Sequence, residues 1–364
     1  MNIAIQRSEL DKALQQVQSA ISHKITLPIL SNFLIETEND QVKITGTDLE
    51  LGVSVKVKAN IQEPGMITIP ARKFTDMIRE FPESEVHIAQ KKNQVIHIDC
   101  ANAHFKLMGL PPEEFPKFPT LEQKWVLVTE QGLIKNMLRI TSFAMSNDET
   151  RFVLNGVLVH VKGKTVEIVA TDGRRLAYAR RILKESTGFE KDVILPKKTV
   201  WELNKALLEE GELAVNFGET QVLFTFGNTI MLSRVLEGEF PSYDQVIPKE
   251  SKEKIKMNRE QFLFATKRAS LLTSQESQSI KLEFFRDKVI FSKSSPEWGE
   301  VREEMPVSNE GNELSIGFNP TYLMDVLKQL SDPEIFLELT SPDKPGVIRT
   351  AEHYTYVVLP MQVI

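Results

Sequence analysis

Two aspartates stand in matching settings, Asp48 in Gly46-Thr47-Asp48 and Asp172 in Ala170-Thr171-Asp172-Gly173. Each closes a strand-like run. A carboxylate there could serve as a general acid or base, or as a metal ligand of a hydrolase or nuclease. The same residues also suit a plain turn, because Asp accepts local backbone hydrogen bonds and Gly tolerates unusual φ. Recurrence at equivalent places favours the turn. The histidines, His23, His87, His97, His104, His160 and His353, form no H-E-x-x-H or similar ligand spacing. Cys100 is the only cysteine, which excludes an internal disulfide and any Cys-based metal site. Phosphate loops, dinucleotide fingerprints and nucleophile elbows are missing from the sequence. No catalytic set is assembled, and neither cofactor nor metal is expected.

The elements that carry these residues repeat. Glu114-Phe115-Pro116 returns as Glu239-Phe240-Pro241, an offset of 125 residues. Helix openings recur at Pro70-Ala71-Arg72, Pro196-Lys197-Lys198 and Asn319-Pro320-Thr321, with proline in the first turn where its missing N–H has no intrahelical role. Ser8, Thr129 and Asn258 are the expected N-caps of three further helices. Behind them runs one apolar stripe each: Leu10, Leu14, Val17, Ile21; then Leu133, Met137, Ile140, Ala144; then Phe262, Ala265, Ala269, Leu272. Strands are expected over 29–35, 153–159 and 280–285, and over 41–45, 165–170 and 288–292. Each copy thus holds two helices and about eight short strands, an α+β module in which two amphipathic helices cover antiparallel sheets. Three such modules fill 1–120, 121–248 and 249–364, joined by Pro-rich connectors at 111–119 and 241–248.

Net charge over 364 residues is −6, which alone argues mildly against a nucleic-acid partner. The distribution reverses that reading. Six helical stretches carry fourteen Lys and Arg against eight Asp and Glu, so they sum to +6 and the rest to −12. A face bearing the helices attracts phosphates while the outside repels them. Gln15, Gln16, Gln18, Ser19 and Ser22 on the first helix make a wet, weakly gripping surface. Neither a base-stacking pattern nor a base-reading motif accompanies them. No apolar run reaches the roughly 18 residues of a membrane span. The start, Met1 to Arg7, reads as a strand rather than a signal peptide.

The chain resembles the bacterial DNA polymerase sliding clamps, the beta subunits of the replicative polymerase. The resemblance runs through Thr26-Leu27-Pro28-Ile29-Leu30, Gly46-Thr47-Asp48-Leu49-Glu50, Pro70-Ala71-Arg72-Lys73-Phe74 and Leu154-Asn155-Gly156. It continues in Ala170-Thr171-Asp172-Gly173-Arg174-Arg175-Leu176-Ala177, Gly317-Phe318-Asn319 and Tyr356-Val357-Val358-Leu359-Pro360-Met361. Three modules rather than two match the bacterial form. The resemblance implies a head-to-tail homodimer closing into a ring around double-stranded DNA, cytoplasmic and nucleoid-associated, non-catalytic, with transferase activity belonging to the holoenzyme. Phosphate contacts carry no sequence information, so such a ring can slide.

The resemblance also implies sites. Lys24, Arg72, Asp148, Phe152 and Val153 fall at DNA-contact positions; Asp148 stands where a neutral amide can occur and Val153 where an aromatic can. Phe105 and Leu107 on an edge strand would meet Leu271 and Leu272 of a second copy. A pocket for short apolar-acidic peptides of the polymerase catalytic subunit, clamp loader, other polymerases and repair proteins would use Leu154, Thr171, Gly173, Arg174, Arg175, Leu176, Pro241, Val246, Asn319, Tyr322, Val357, Leu359, Pro360 and Met361. Arg174 stands where histidine is common, and Gln362 where arginine is frequent. The alternatives are a hydrolase using Asp48 and Asp172, or a repeat scaffold that binds only proteins.

Overall fold

The structure is a computed structural model that describes residues 1–21, 27–90, 94–118, 124–248, 253–350 and 353–362. Lys24 and His23 lie outside the described residues. Six α-helices are present among these: α1 (Arg7–Val17), α2 (Ala71–Glu80), α3 (Gln131–Thr141), α4 (Lys197–Ala206), α5 (Arg259–Ala269) and α6 (Pro320–Gln329). The expected stripes form their inner faces. Leu10, Ala13, Leu14 and Val17 of α1 are buried, as are Phe262, Ala265 and Ala269 of α5. Each such large side chain contributes about 1.5–3 kcal/mol by leaving water.

Helix starts follow a rule that cap chemistry alone misses. Asn258 does cap α5, its Oδ1 accepting from Gln261 N at 2.9 Å. The helix α1, however, begins at Arg7, so Ser8 is already helical. Thr129 sits in the strand Val126–Glu130. In all three modules a strand runs straight into the helix, and the first helical N–H donates to a carbonyl beyond the neighbouring strand. These bonds are Arg7 to Ser84 at 3.0 Å, Gln131 to Gly211 at 2.8 Å and Arg259 to Pro333 at 3.0 Å. In the first and third modules the same residue then uses its side chain at the end of the module's other helix. Arg7 donates to the carbonyls of Ile78 (2.9 Å) and Arg79 (2.6 Å), and Arg259 to those of Leu327 (2.9 Å) and Asp332 (3.0 Å). Cations suit helix C-termini, whose last carbonyls lack partners. Two of the fourteen helical cations are therefore spent inside the modules.

Strand boundaries differ from expectation at two points. Residues 28–31 form a 3₁₀ turn before the strand Asn32–Glu38, and Glu149–Leu154 does the same before Gly156–Lys162. The strands Gln41–Thr47, Thr165–Thr171 and Lys288–Ser295 stand where expected.

By packing, the chain divides into two compact units, Met1–Leu133 with Trp201–Val235, and Ile134–Val200 with Leu236–Ile364. Sheet continuity explains why the central module is divided. In the first unit an eight-stranded sheet joins strands of the first and central modules through Leu51–Lys58 and Thr229–Arg234, with Gly52 opposite Leu232. In the second unit a nine-stranded sheet joins central and third modules through Arg175–Ile182 and Tyr354–Val358, with Leu176 opposite Val357. A five-stranded sheet of the first unit ends on Ala103–Met108. A four-stranded sheet of the second ends on Gly299–Pro306.

Candidate functional site

The aspartates open the site. Thr171 Oγ1 donates to Arg175 O at 2.6 Å, and Asp172 Oδ1 accepts from Arg174 N at 2.9 Å and Arg175 N at 3.0 Å. Asp48 repeats this turn, accepting from Glu50 N at 3.0 Å and Leu51 N at 2.8 Å. Both carboxylates are thus engaged by their own turns. Among the described residues no group of three His, Cys, Asp or Glu is placed to hold a metal. His104 pairs with Asp99, and His160 with Asp192.

Gly173 takes the positive φ of the turn (+86°), and a Cβ there would lie 2.9 Å from Arg151 Nη1. Glycine therefore lets Arg151 reach the turn, a neighbour that the sequence reading did not include.

Arg175 leaves this turn inward, its side chain only 10% exposed. Its guanidinium donates to Asp172 Oδ2 (3.0 Å), Asp325 Oδ2 (2.6 Å) and Phe143 O (2.9 Å). It also lies 4.5 Å over the Tyr322 ring. Burial works against its charge, yet Tyr356, Asp325 and Asp172 outweigh that and hold its pKa above the ordinary arginine value. A buried cation with this many partners fixes geometry, because its planar fork satisfies them all only in one orientation.

Beside this network lies an apolar cleft of about 130 Å³. Ten of the expected pocket residues line it together: Leu154, Thr171, Gly173, Arg174, Arg175, Leu176, Pro241, Val246, Val357 and Leu359. Tyr243 lines it too, although sequence reasoning passed over it. Its hint was its place two residues behind the repeated Glu-Phe-Pro. Asn319, Tyr322, Pro360 and Met361 are not in the lining. Asn319 instead caps α6, accepting from Thr321 N at 2.9 Å. Met361 N donates to Gly317 O at 2.8 Å and Leu359 N to Arg174 O at 2.9 Å, which ties the C-terminal segment to the cleft. An apolar hollow with a few polar groups at its rim suits anchoring of a short peptide.

The other expected sites are placed as follows. Arg72 is exposed near the start of α2. Phe152 and Val153 lie in the 3₁₀ stretch Glu149–Leu154, which Asp148 caps, and Phe152 is 52% exposed. Asp148 Oδ1 accepts from Thr150 Oγ1 (2.7 Å) and N (3.0 Å), and these bonds hold its carboxyl below the usual range. Phe105 (38% exposed) and Leu107 sit on the edge strand Ala103–Met108; Leu271 (75% exposed) and Leu272 form the turn after α5.

Family models for the DNA polymerase III beta subunit match in series: the N-terminal domain over residues 1–119, the central domain over 129–242 and the C-terminal domain over 244–362. The beta sliding clamp of Bacillus subtilis is 34% identical, with 99% of this chain and 98% of that protein covered. That of Pseudomonas aeruginosa is 32% identical over the whole of both chains. Crystal structures of the Bacillus subtilis clamp and of a Pseudomonas aeruginosa clamp bound to griselimycin each superpose over both full chains with a TM-score of 0.96, at 33% and 32% identity. Matched from end to end in sequence and fold, the chain belongs to the DNA polymerase III beta-subunit family, the beta sliding clamps.

Proposed function

We propose that two copies of the chain join head to tail into a ring that encircles duplex DNA and slides on it. By family the chain is a processivity clamp of DNA replication and non-catalytic. The observation that carries the dimer is a pair of strands that end their sheets among the described residues, Ala103–Met108 and Gly299–Pro306. Exposed edges invite another strand. These two are the repeat counterparts of the strands that join modules inside the chain. The hairpins open on equivalent rungs: Gln41 with Lys58, Thr165 with Ile182, and Lys288 with Pro306. The partner strands start on Thr229, Tyr354 and Ala103. Transferring the register of the inner joints sets Lys106 against Glu300 and Phe105 against Val301 of a second copy. It also sets Leu271 on Phe105, as Phe143 lies 5.7 Å from Tyr356 in the second unit. The charges agree with this: Lys106 on one edge meets Glu300, whereas Glu303 and Glu304 of that edge are paired within the chain by Arg268, Lys288 and Arg302.

Module limits at 1–120, 121–248 and 249–364 follow from the same repeat. Arg72 and Lys24 would face phosphates, with Phe152 and Val153 nearby in role. Asp148 is committed to its turn and contributes position rather than attraction. The cleft beside Arg175 would receive apolar-acidic peptides of the polymerase catalytic subunit, the clamp loader and repair proteins, with Arg174 and Arg151 meeting the acidic groups. Work on chromosomal DNA would place the ring in the cytoplasm, at the nucleoid. The native mass in solution tests the assembly and should be twice the chain mass. Loaded protein should stay on circular DNA and leave linear DNA by its ends. A monomeric mass, or rapid loss from closed circles at low salt, overturns the reading.

A further inference from the structure

The wall of the cleft that carries Tyr243 is fastened by one carboxylate. Tyr243 OH donates to Glu167 Oε2 at 2.8 Å. Glu167 Oε1 faces Arg180 Nε at 3.6 Å, and the Tyr243 ring packs on Tyr178 at 5.8 Å between centroids. Burial first, then the Glu167 carboxylate, raises both phenols above the ordinary tyrosine value, so both stay protonated donors.

The repeat supplies an internal contrast. Glu167 corresponds to Lys43, Arg180 to Lys56, Tyr178 to Ser54 and Tyr243 to Phe118, by the shared hairpin register and the Glu-Phe-Pro offset. In the first unit Lys43 is held by Glu36 (3.2 Å) and Glu38 (3.5 Å) of its own sheet. Phe118 has no hydroxyl to be caught. Its ring lies down on Gly52, so close that a Cβ on that glycine would sit 2.5 Å from Phe118 Cζ. At the counterpart of Gly52 stands Leu176, whose side chain is cleft lining. In one module the aromatic closes over the sheet. In the other, a leucine below and a carboxylate beside it hold the aromatic up as a wall.

We infer that Glu167 is a positioning residue of the peptide cleft, which keeps Tyr243 upright and thereby sets the width of the hollow between Leu176 and Val246. The inference rests on the cleft being the peptide site. This part-buried phenol–carboxylate bond is charge-assisted and stronger than a neutral one. Its loss costs no apolar contact with a peptide, yet it releases the wall that the peptide packs on.

The test uses the full-length protein and a short fluorescein-labelled peptide with an aspartate followed by leucine and phenylalanine, read by anisotropy. Glu167→Ala is expected to weaken binding about three- to tenfold, the loss of one such hydrogen bond. Glu167→Gln keeps an acceptor and should restore most of the affinity. Tyr243→Phe keeps the ring and should match Glu167→Ala, and the double variant should be no worse than either single one. Native mass and thermal midpoint serve as controls for folding. Unchanged affinity in Glu167→Ala, or losses that add in the double variant, overturns the inference while the cleft stands. A wild-type protein that does not bind the peptide overturns the cleft itself, and the inference with it.

Discussion

Arg175 donates to Asp325 at 2.6 Å, and this bond joins the turn of the central module to helix α6 of the third. Asp172 holds the same guanidinium from its own turn, so the two carboxylates share one buried cation. Asp325→Ala should therefore lower the thermal midpoint more than most surface changes do, at about 1.5 kcal/mol for one charge-assisted hydrogen bond lost while Asp172 still holds the guanidinium. Asp325→Asn keeps an acceptor and should lose less. Peptide affinity should fall in parallel, since Arg175 lines the cleft. Thermal denaturation of both variants checks the order.

The transferred register makes a second expectation specific. Lys106→Glu would set like charges opposite one another at both joints of a ring, which destabilises strand pairing. The dimer dissociation constant should rise at least about tenfold, with roughly 1 kcal/mol lost per joint. Adding Glu300→Lys in the same chain should recover the dimer. Sedimentation over a dilution series reads both. Recovery absent from the double variant would mean that the two residues do not face each other.

Lys56 hydrogen-bonds Glu38 at 2.8 Å and, with Lys43, holds its pKa below the ordinary 4.5 despite partial burial. A carboxyl depressed in the folded state adds stability that is present above its unfolded value and is lost as pH falls through its folded value. Glu38→Gln should thus melt about 1–2 °C lower than the parent at pH 7, a small shift because the pair is partly exposed. The gap should narrow below about pH 4.5. A gap that persists unchanged to lower pH points to lost packing instead.

Much of this was legible in the sequence because the repeat is written in side chains that serve local geometry. Asp48 and Asp172 announce the same turn, and the stripes through Leu10 and Phe262 announce the buried helix faces. Helix starts at Arg7 and Gln131 were not legible, since their first N–H groups are satisfied by Ser84 and Gly211, distant carbonyls that no local pattern encodes. The charge count misjudged Arg7 and Arg259 for the same reason: their forks cap helices some 70 residues away. In the cleft, the ten lining residues followed from family resemblance, whereas Tyr243 and Arg151 depend on where the connector and the 3₁₀ turn come to rest. Sequence spacing holds no record of that.

Leu359 is 37% exposed and lines the hollow, while Met361 is held beside it through Gly317. Neither belongs to the sheet-end strands Ala103–Met108 and Gly299–Pro306. Truncating both to alanine removes apolar surface from the mouth at about 25 cal/mol per Å² and leaves the strand pairing behind it intact, because the main-chain bonds of Leu359 and Met361 need no side chain. Peptide affinity should fall at least about tenfold, and stimulation of the polymerase should be abolished. Native mass should stay that of the parent. Stimulation that survives the double substitution would place the polymerase contact elsewhere on the chain, and a change in mass would show that the C-terminal segment also supports the joint between copies.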